Sequence, residues 1–179
     1  MTLDTTPHSY ATWYIKPLGD RWLHTEAVAA KVAAVAPLLG LREFEQNLAV
    51  GIAWLHDLGY AFPDVHPWHP LAGALYLREN WNASIAGYVA WHSTAEHEGP
   101  MLGYGAELME FERPHNLIQT VVDWADMTTG PRGEAFTLQE RLAEIGNRHG
   151  KDSTQYNGMV ASFDRLNTGR KIIRRLVTA

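Results

Sequence analysis

The stretch DRWLHTEAVAAKVAAVAPLLGL, residues 20–41, decides the fold. Its large apolar residues recur at spacings of four, three and four, which is the repeat of an amphipathic helix with one buried face. We expect this helix to run from about 21 to 39, with Asp20 as its N-terminal cap and Gly40 as its stop signal. The predicted buried stripe consists of Val28, Val32, Val35 and Leu39.

The rest of the sequence follows the same helical pattern. No alternating run of β-branched residues between turns indicates a strand. The glycines and prolines between Gly59 and Pro70 predict a loop, and 99–105 predicts another. Further helices are expected at about 42–57, 70–79, 83–96, 113–127, 137–148 and 154–177.

These patterns predict an all-α protein, a compact helical bundle of about six to eight helices. The 179 residues suit one domain with one hydrophobic core. We expect a single domain over 1–179, with the motifs described below at 20–132 and C-terminal helices at 137–177.

Charge and composition exclude several classes of protein. A net charge of -5 and a pI near 6.0 argue against a nucleic-acid polymer as partner, because duplex binders cluster lysine and arginine. The absence of cysteine excludes disulfides and thiolate metal sites. No apolar run has membrane-spanning length and no signal peptide is evident, so we expect a soluble cytoplasmic protein without a membrane partner.

Nine histidines in a chain without cysteine raise the question of a metal. Six histidines and aspartates fall on predicted buried helix faces or at helix ends. A lone buried histidine is usually a hydrogen-bonded core residue, but a converging set would leave several polar groups unpaired, at about 1–3 kcal/mol each. Imidazole and carboxylate ligands suit divalent first-row metals. The candidate metal ligands are His24, His56, Asp57, His69, His92 and Asp126.

In their order along the chain, these residues resemble the HD phosphohydrolase superfamily, and the added His69 and His92 resemble its binuclear members. The resemblance covers about 21–132. Its motifs resemble the symmetrical bis(nucleosyl)-tetraphosphatase branch, and the sequence is more similar to uncharacterised bacterial HD proteins with the run His-Asp-Leu-Gly-Tyr. The similar segments are RWLH at 21–24, HD at 56–57, WHPLAGA at 68–74, YVAWHST at 88–94, and AD at 125–126 followed by PR at 131–132.

The resemblance implies a metal-dependent hydrolase that cleaves a phosphate ester or anhydride of a small, for example nucleotide-like, compound. It implies two divalent transition-metal ions (iron, manganese, cobalt, nickel or zinc) and a metal-bridging hydroxide that attacks phosphorus. Asp57 would bind both ions. The other expected ligands are His24, His56 and Asp126 for one ion, and His69 and His92 for the second.

Several further residues are candidates for binding the substrate. Arg21 and Arg132 are expected to hold its phosphate, because a guanidinium matches phosphate bidentately and both lie beside metal motifs; the alternative is a salt bridge to an acidic residue. His97 and His66 could contact phosphate or protonate a leaving group, or could be plain helix-end and loop histidines. His149 is interpreted as a surface or capping residue.

Two other functions fit the same ligands. One is a mixed-valent diiron oxygenase of HD type, and the other is a non-catalytic binding module whose metal only stabilises the helices. A small phosphorylated substrate is the expected partner, and a homo-oligomer is compatible with the sequence. Substrate and native metal do not follow from the fold, because one scaffold hosts many activities.

Overall fold

The structure is a computed structural model and describes residues 6–178. Over this range the chain is helical, with no β-strand and a single isolated bridge between Thr129 and Ala135. The all-α prediction is therefore confirmed. The predicted domain boundaries at 1 and 179 lie outside the described residues. Among the helices of this range, none is both long enough and apolar enough to cross a membrane.

Ten α-helices are present between residues 6 and 178, against the six to eight predicted. The additional ones are short and are named α1, α6 and α7 below. Short 3-10 turns at Lys16–Leu18, Ala36–Leu39 and Leu58–Ala61 extend or connect the helices. The helices are α1 Pro7–Tyr14, α2 Asp20–Val35, α3 Glu43–Leu55, α4 His69–Asn80, α5 Ala83–Ala90, α6 Ala95–Met101, α7 Gly105–Leu108, α8 Leu117–Met127, α9 Leu138–His149 and α10 Thr154–Val177.

Three local predictions were wrong in detail. The helix expected at 83–96 ends at Ala90, because Ser93 adopts a left-handed backbone with φ 57° that no α-helix accommodates. The loop expected at 99–105 is partly helical, since α6 and α7 extend into it from both sides. Gly19 at φ 65°, not Asp20, is the cap residue of α2.

The main core lies between α2, α3, α5 and α8 and carries the predicted apolar stripes. Val28 and Val32 of α2 are fully buried, and Ile52 of α3 and Val122 of α8 are buried against the same cluster. A second apolar cluster, which includes Met127 and Ile145, joins the end of α8 to α9 and α10. The C-terminal helices are therefore packed beside the end of α8.

Gly59 brings the segment after α3 against the start of α4. A Cβ added at Gly59 would lie 1.9 Å from the backbone oxygen of His69 and 2.5 Å from the backbone nitrogen of Gly73. Only a residue without a side chain permits this approach. It fixes the first residue of α4 close to the end of α3.

Gly59→Ala is expected to lower the free energy of unfolding by about 3 kcal/mol or more, because the new methyl group meets backbone atoms that cannot move aside. The measurement is the urea unfolding midpoint of metal-free protein. Gly105→Ala is the matched control, since its Cβ would find only ordinary contacts of 3.5 Å or more. Equal midpoints for both variants would contradict this packing.

Candidate metal centre

The six predicted ligands come from separate parts of the chain and meet at one point. His24 lies on α2 and Asp126 on α8, while His56 and Asp57 follow the last residue of α3. His69 begins α4, and His92 lies in the turn after α5 rather than on a helix face. Five of the six are buried, with relative exposures of 7% or less, and His69 is half-buried.

The first group of donors surrounds one oxygen of Asp57. The Nε2 atom of His56 lies 3.3 Å from Asp57 Oδ2, and that of His24 lies 3.6 Å from the same oxygen. Asp126 closes the group, with its Oδ1 3.0 Å from His24 Nε2 and 3.9 Å from His56 Nε2. The two imidazole Nε2 atoms are themselves 3.3 Å apart.

The second group uses the other oxygen of the same carboxylate. Asp57 Oδ1 lies 3.4 Å from His69 Nε2 and 3.9 Å from His92 Nε2. These two Nε2 atoms are 3.2 Å apart. Asp57 therefore stands between two sets of nitrogen and oxygen donors, each of which can converge on a cation.

Backbone carbonyls orient three of the imidazole rings. The Nδ1 atoms of His24, His56 and His92 lie 3.0 Å, 2.7 Å and 2.6 Å from the carbonyl oxygens of Gly130, Ala53 and Val89. A proton on each Nδ1 leaves the lone pair of Nε2 free for a ligand bond. This is the outer hydrogen bond that metal-binding histidines commonly make.

Burial and charge make the carboxylates strong candidates for binding a cation. Burial alone would raise the pKa of Asp57, but Arg21 and His56 together hold it well below its usual range. His24 and His56 likewise depress the pKa of Asp126 against the effect of burial. Burial lowers the pKa of His56, yet Asp57 and Asp126 outweigh it and raise that pKa to about 9. Without a metal His56 is therefore protonated at neutral pH, and a cation would have to displace the proton on its Nε2. The carboxylates are ionised, and the donors suit a divalent first-row metal.

Arg21 lies beside the donor groups and forms an ion pair with Asp57. Its Nη1 lies 2.7 Å from Asp57 Oδ2, and its guanidinium lies 4.0 Å from the centre of the Tyr60 ring. Tyr60 in turn stacks on the imidazole of His69 at 4.1 Å between ring centres. Arg21 and Tyr60 thus border the donor groups; the sequence motif His-Asp-Leu-Gly-Tyr includes Tyr60 but had given it no role.

Three candidate substrate-binding residues lie farther out. Arg132 is 69% exposed at its side chain and forms an ion pair with Asp20 at 2.9 Å. His97 is half-buried, with its Nε2 3.7 Å from Glu96 Oε1, and it is the neighbouring Glu98 that lines the cavity over the donors. His66 lies 3.4 Å from Glu107. Their predicted roles in catalysis stay predictions.

Ser93 is a residue that sequence reasoning missed. Its backbone N–H donates to Asp123 Oδ1 at 2.8 Å, its carbonyl accepts from Arg165, and its hydroxyl donates to Asp126 Oδ2. Asp123 is buried and also pairs with Arg165 at 2.7 Å. Ser93 therefore ties Asp126 to an ion pair formed with α10. Only its position beside His92 could have indicated it.

A cavity of about 160 Å³ lies over the donor groups. Asp57, His69, His92 and Asp126 line one side. The cavity is also lined by four residues of α9 that the sequence had not linked to the site, namely Arg141, Ile145, Arg148 and His149. His149 is exposed, as expected for a surface residue, yet it borders this cavity.

Asp57→Ala is expected to weaken binding of transition metals at least about 100-fold, because it removes the only carboxylate common to both donor groups. The measurement is metal content after dialysis against a weak chelator, with circular dichroism to verify folding. His115→Ala removes an exposed histidine outside the site and should leave metal content unchanged. A folded Asp57→Ala protein that keeps its metal would disprove the assignment.

Arg165→Met is expected to cost about 3 kcal/mol of stability at neutral pH, because it leaves Asp123 charged, buried and unpaired. Burial already raises the pKa of Asp123, and Arg165 partly offsets this. Loss of Arg165 raises that pKa further. A raised pKa in the folded state means that Asp123 becomes protonated, and so neutral, at a higher pH than in the unfolded chain. The loss of unfolding free energy in Arg165→Met, relative to wild type, should therefore shrink as pH falls towards the pKa of an unfolded aspartate.

The check on Arg165→Met is a series of urea unfolding curves at several pH values. Lys171→Met replaces an exposed cation of the same helix and should change stability by less than about 0.5 kcal/mol. A deficit of Arg165→Met that is independent of pH would show that Asp123 does not depend on this ion pair.

Comparisons with known proteins add no family assignment. No protein-family model matches the chain, and neither a curated protein nor a solved structure shows significant similarity to it. The likeness to the HD superfamily stays a prediction from the sequence motifs, and function has to be argued from the site.

Proposed function

We propose that this protein is a metal-dependent phosphohydrolase with a binuclear centre of the HD type. The observation that carries the proposal is the position of Asp57. Its two oxygens face different pairs of imidazole nitrogens, with His24 and His56 at Oδ2, and with His69 and His92 at Oδ1. A carboxylate in this position suits two cations held side by side, as in binuclear hydrolases.

Two divalent transition-metal ions are the proposed cofactors. His24, His56 and Asp126 would hold one with Asp57, and His69 and His92 would hold the other. Nitrogen and oxygen donors without thiolate fit iron, manganese, cobalt, nickel or zinc. When bound, such ions polarise a phosphoryl oxygen and lower the pKa of a bound water.

The residues around the donors support a phosphorylated substrate. Arg21, Arg141 and Arg148 line the same small cavity, and guanidinium groups bind phosphate through paired hydrogen bonds. We assign Arg21 the orientation of the phosphate beside Asp57. The proposed substrate is a small phosphate ester or anhydride.

Glu98 is the better candidate for the proton donor than His97. It lines the cavity and accepts a hydrogen bond from the Thr94 hydroxyl. Burial raises the pKa of Glu98, which brings a carboxyl group closer to the range useful for general acid catalysis. Its role would be to hold a proton on its carboxyl group for the leaving oxygen.

The test starts with metal analysis of protein purified without chelator, followed by a phosphatase panel with that metal. We expect about two equivalents of metal, as binuclear sites require, and release of phosphate from at least one compound. His69→Ala should lower kcat/KM at least about 100-fold, since loss of a ligand exceeds the usual effect of an outer hydrogen-bond partner. His115→Ala should match wild type.

Other results would select the rival functions. Two equivalents of iron that react with oxygen, without phosphate release, would identify a diiron oxygenase. Metal-loaded protein that is silent across the panel and unreactive towards oxygen would identify a metal-stabilised binding module. Failure to bind metal even after reconstitution would refute the whole assignment.

A further inference from the structure

Helix α9 supplies a cationic wall to the cavity over the donor groups. Arg141, Arg148 and His149 line it, while Asp57 and Asp126 line it from other elements. Arg141 and Arg148 are seven positions apart, which is about two helical turns, so they lie on the same face of α9. The cavity thus has acidic metal-binding residues and basic residues within one small space.

Arg141 has an unused hydrogen-bond donor. Its side chain is 8% exposed, and one of its nitrogens pairs with Glu144. Its Nε, also buried, has no hydrogen-bond partner among the described residues. An unpaired buried donor costs about 1–3 kcal/mol, and more where the group is charged. Arg141 also lines the cavity, so an anion bound there would lie beside this guanidinium group.

The positive charge on this wall exceeds the negative charge that balances it. Glu144 contacts both guanidinium groups, with its Oε1 2.8 Å from Arg148 Nε. One carboxylate therefore serves two cations. Burial lowers the pKa of Arg148, Glu144 opposes this effect, and the charges of Arg141 and Arg21 add to it.

We infer that Arg141 and Arg148 form a second anion-binding subsite, so that the substrate carries two anionic groups. One is the phosphate at Asp57 and Arg21, and the other, a phosphate or a carboxylate, binds on α9. This inference rests on the proposed phosphohydrolase function and narrows its substrate class. Guanidinium groups bind both kinds of anion bidentately.

The size of the cavity agrees with a compact substrate of this kind. Its volume of about 160 Å³ corresponds to roughly five water molecules at about 30 Å³ each, which suits small anionic groups. A second cavity of about 580 Å³ shares Arg21, Tyr60 and Arg148 with it. That outer space would accept any organic remainder, with Phe136 among its apolar lining residues.

The test measures binding of three probes to metal-loaded protein by calorimetry. The probes are orthophosphate, inorganic pyrophosphate and phosphonoacetate, which pairs a phosphonate with a carboxylate. Wild type should bind at least one two-anion probe ten or more times as tightly as orthophosphate. Arg148→Gln should weaken the binding of that probe at least tenfold and the binding of orthophosphate less than twofold.

Two further variants separate charge from position. Arg175→Gln removes an exposed arginine of α10 and should bind all probes as wild type does. Arg148→Lys keeps the charge but loses the planar fork, so it should recover only part of the affinity. Arg148 is partly exposed, so its variants are expected to fold.

Each outcome decides a separate question. Tighter binding of pyrophosphate would identify the second anionic group of the substrate as a phosphate. Tighter binding of phosphonoacetate would identify it as a carboxylate. Equal weakening of all probes by Arg148→Gln, or none, would overturn the subsite. Tighter binding of a two-anion probe without any phosphate release in the panel would contradict the phosphohydrolase proposal but support the subsite. Phosphate release without tighter binding of a two-anion probe would support the phosphohydrolase proposal and refute the subsite.

Discussion

The structure depends on one buried carboxylate, that of Asp57. An ionised group with 3% exposure is costly unless charged or hydrogen-bonded groups surround it. Here those groups come from α2, α4 and the turn after α5, as well as from its neighbour His56. The packing of these elements is thus inseparable from the donor geometry, and a cation at this point would stabilise the fold as well as serve chemistry.

Two backbone features bring the donors this close. Gly59 lets the segment after Asp57 approach the first turn of α4, where a side chain would collide with His69. Ser93 takes a left-handed backbone that ends α5 early and is held by hydrogen bonds to Asp123 and from Arg165. A helix that continued through 93, as its apolar pattern suggested, would carry the residues after His92 along the axis of α5 instead of turning them towards Asp126.

The sequence predicts features that depend on local periodicity, but not those that depend on contacts with distant residues. The buried faces of α2 and α8 follow from period 3.6, so His24 and Asp126 could be placed on the inner side of their helices. The turn at Ser93 could not, because its conformation is imposed by Asp123 and Arg165, residues 30 and 72 positions away. The position of the α9 arginines at the cavity could not be predicted either, because it depends on how the C-terminal helices pack against α8.

Local charge, rather than net charge, governs the kind of ligand the cavity favours. The chain is acidic overall, with a net charge of -5, and this had argued only against polymeric nucleic acid. Inside the cavity the balance would change if cations neutralised Asp57 and Asp126. Among the described residues, Arg21, Arg141 and Arg148 would then share its lining with one further carboxyl, that of Glu98, while Glu144 pairs with Arg141 and Arg148. Burial favours the protonated, neutral form of Glu98. A metal-loaded site would thus be electropositive, and an anionic substrate would offset this charge.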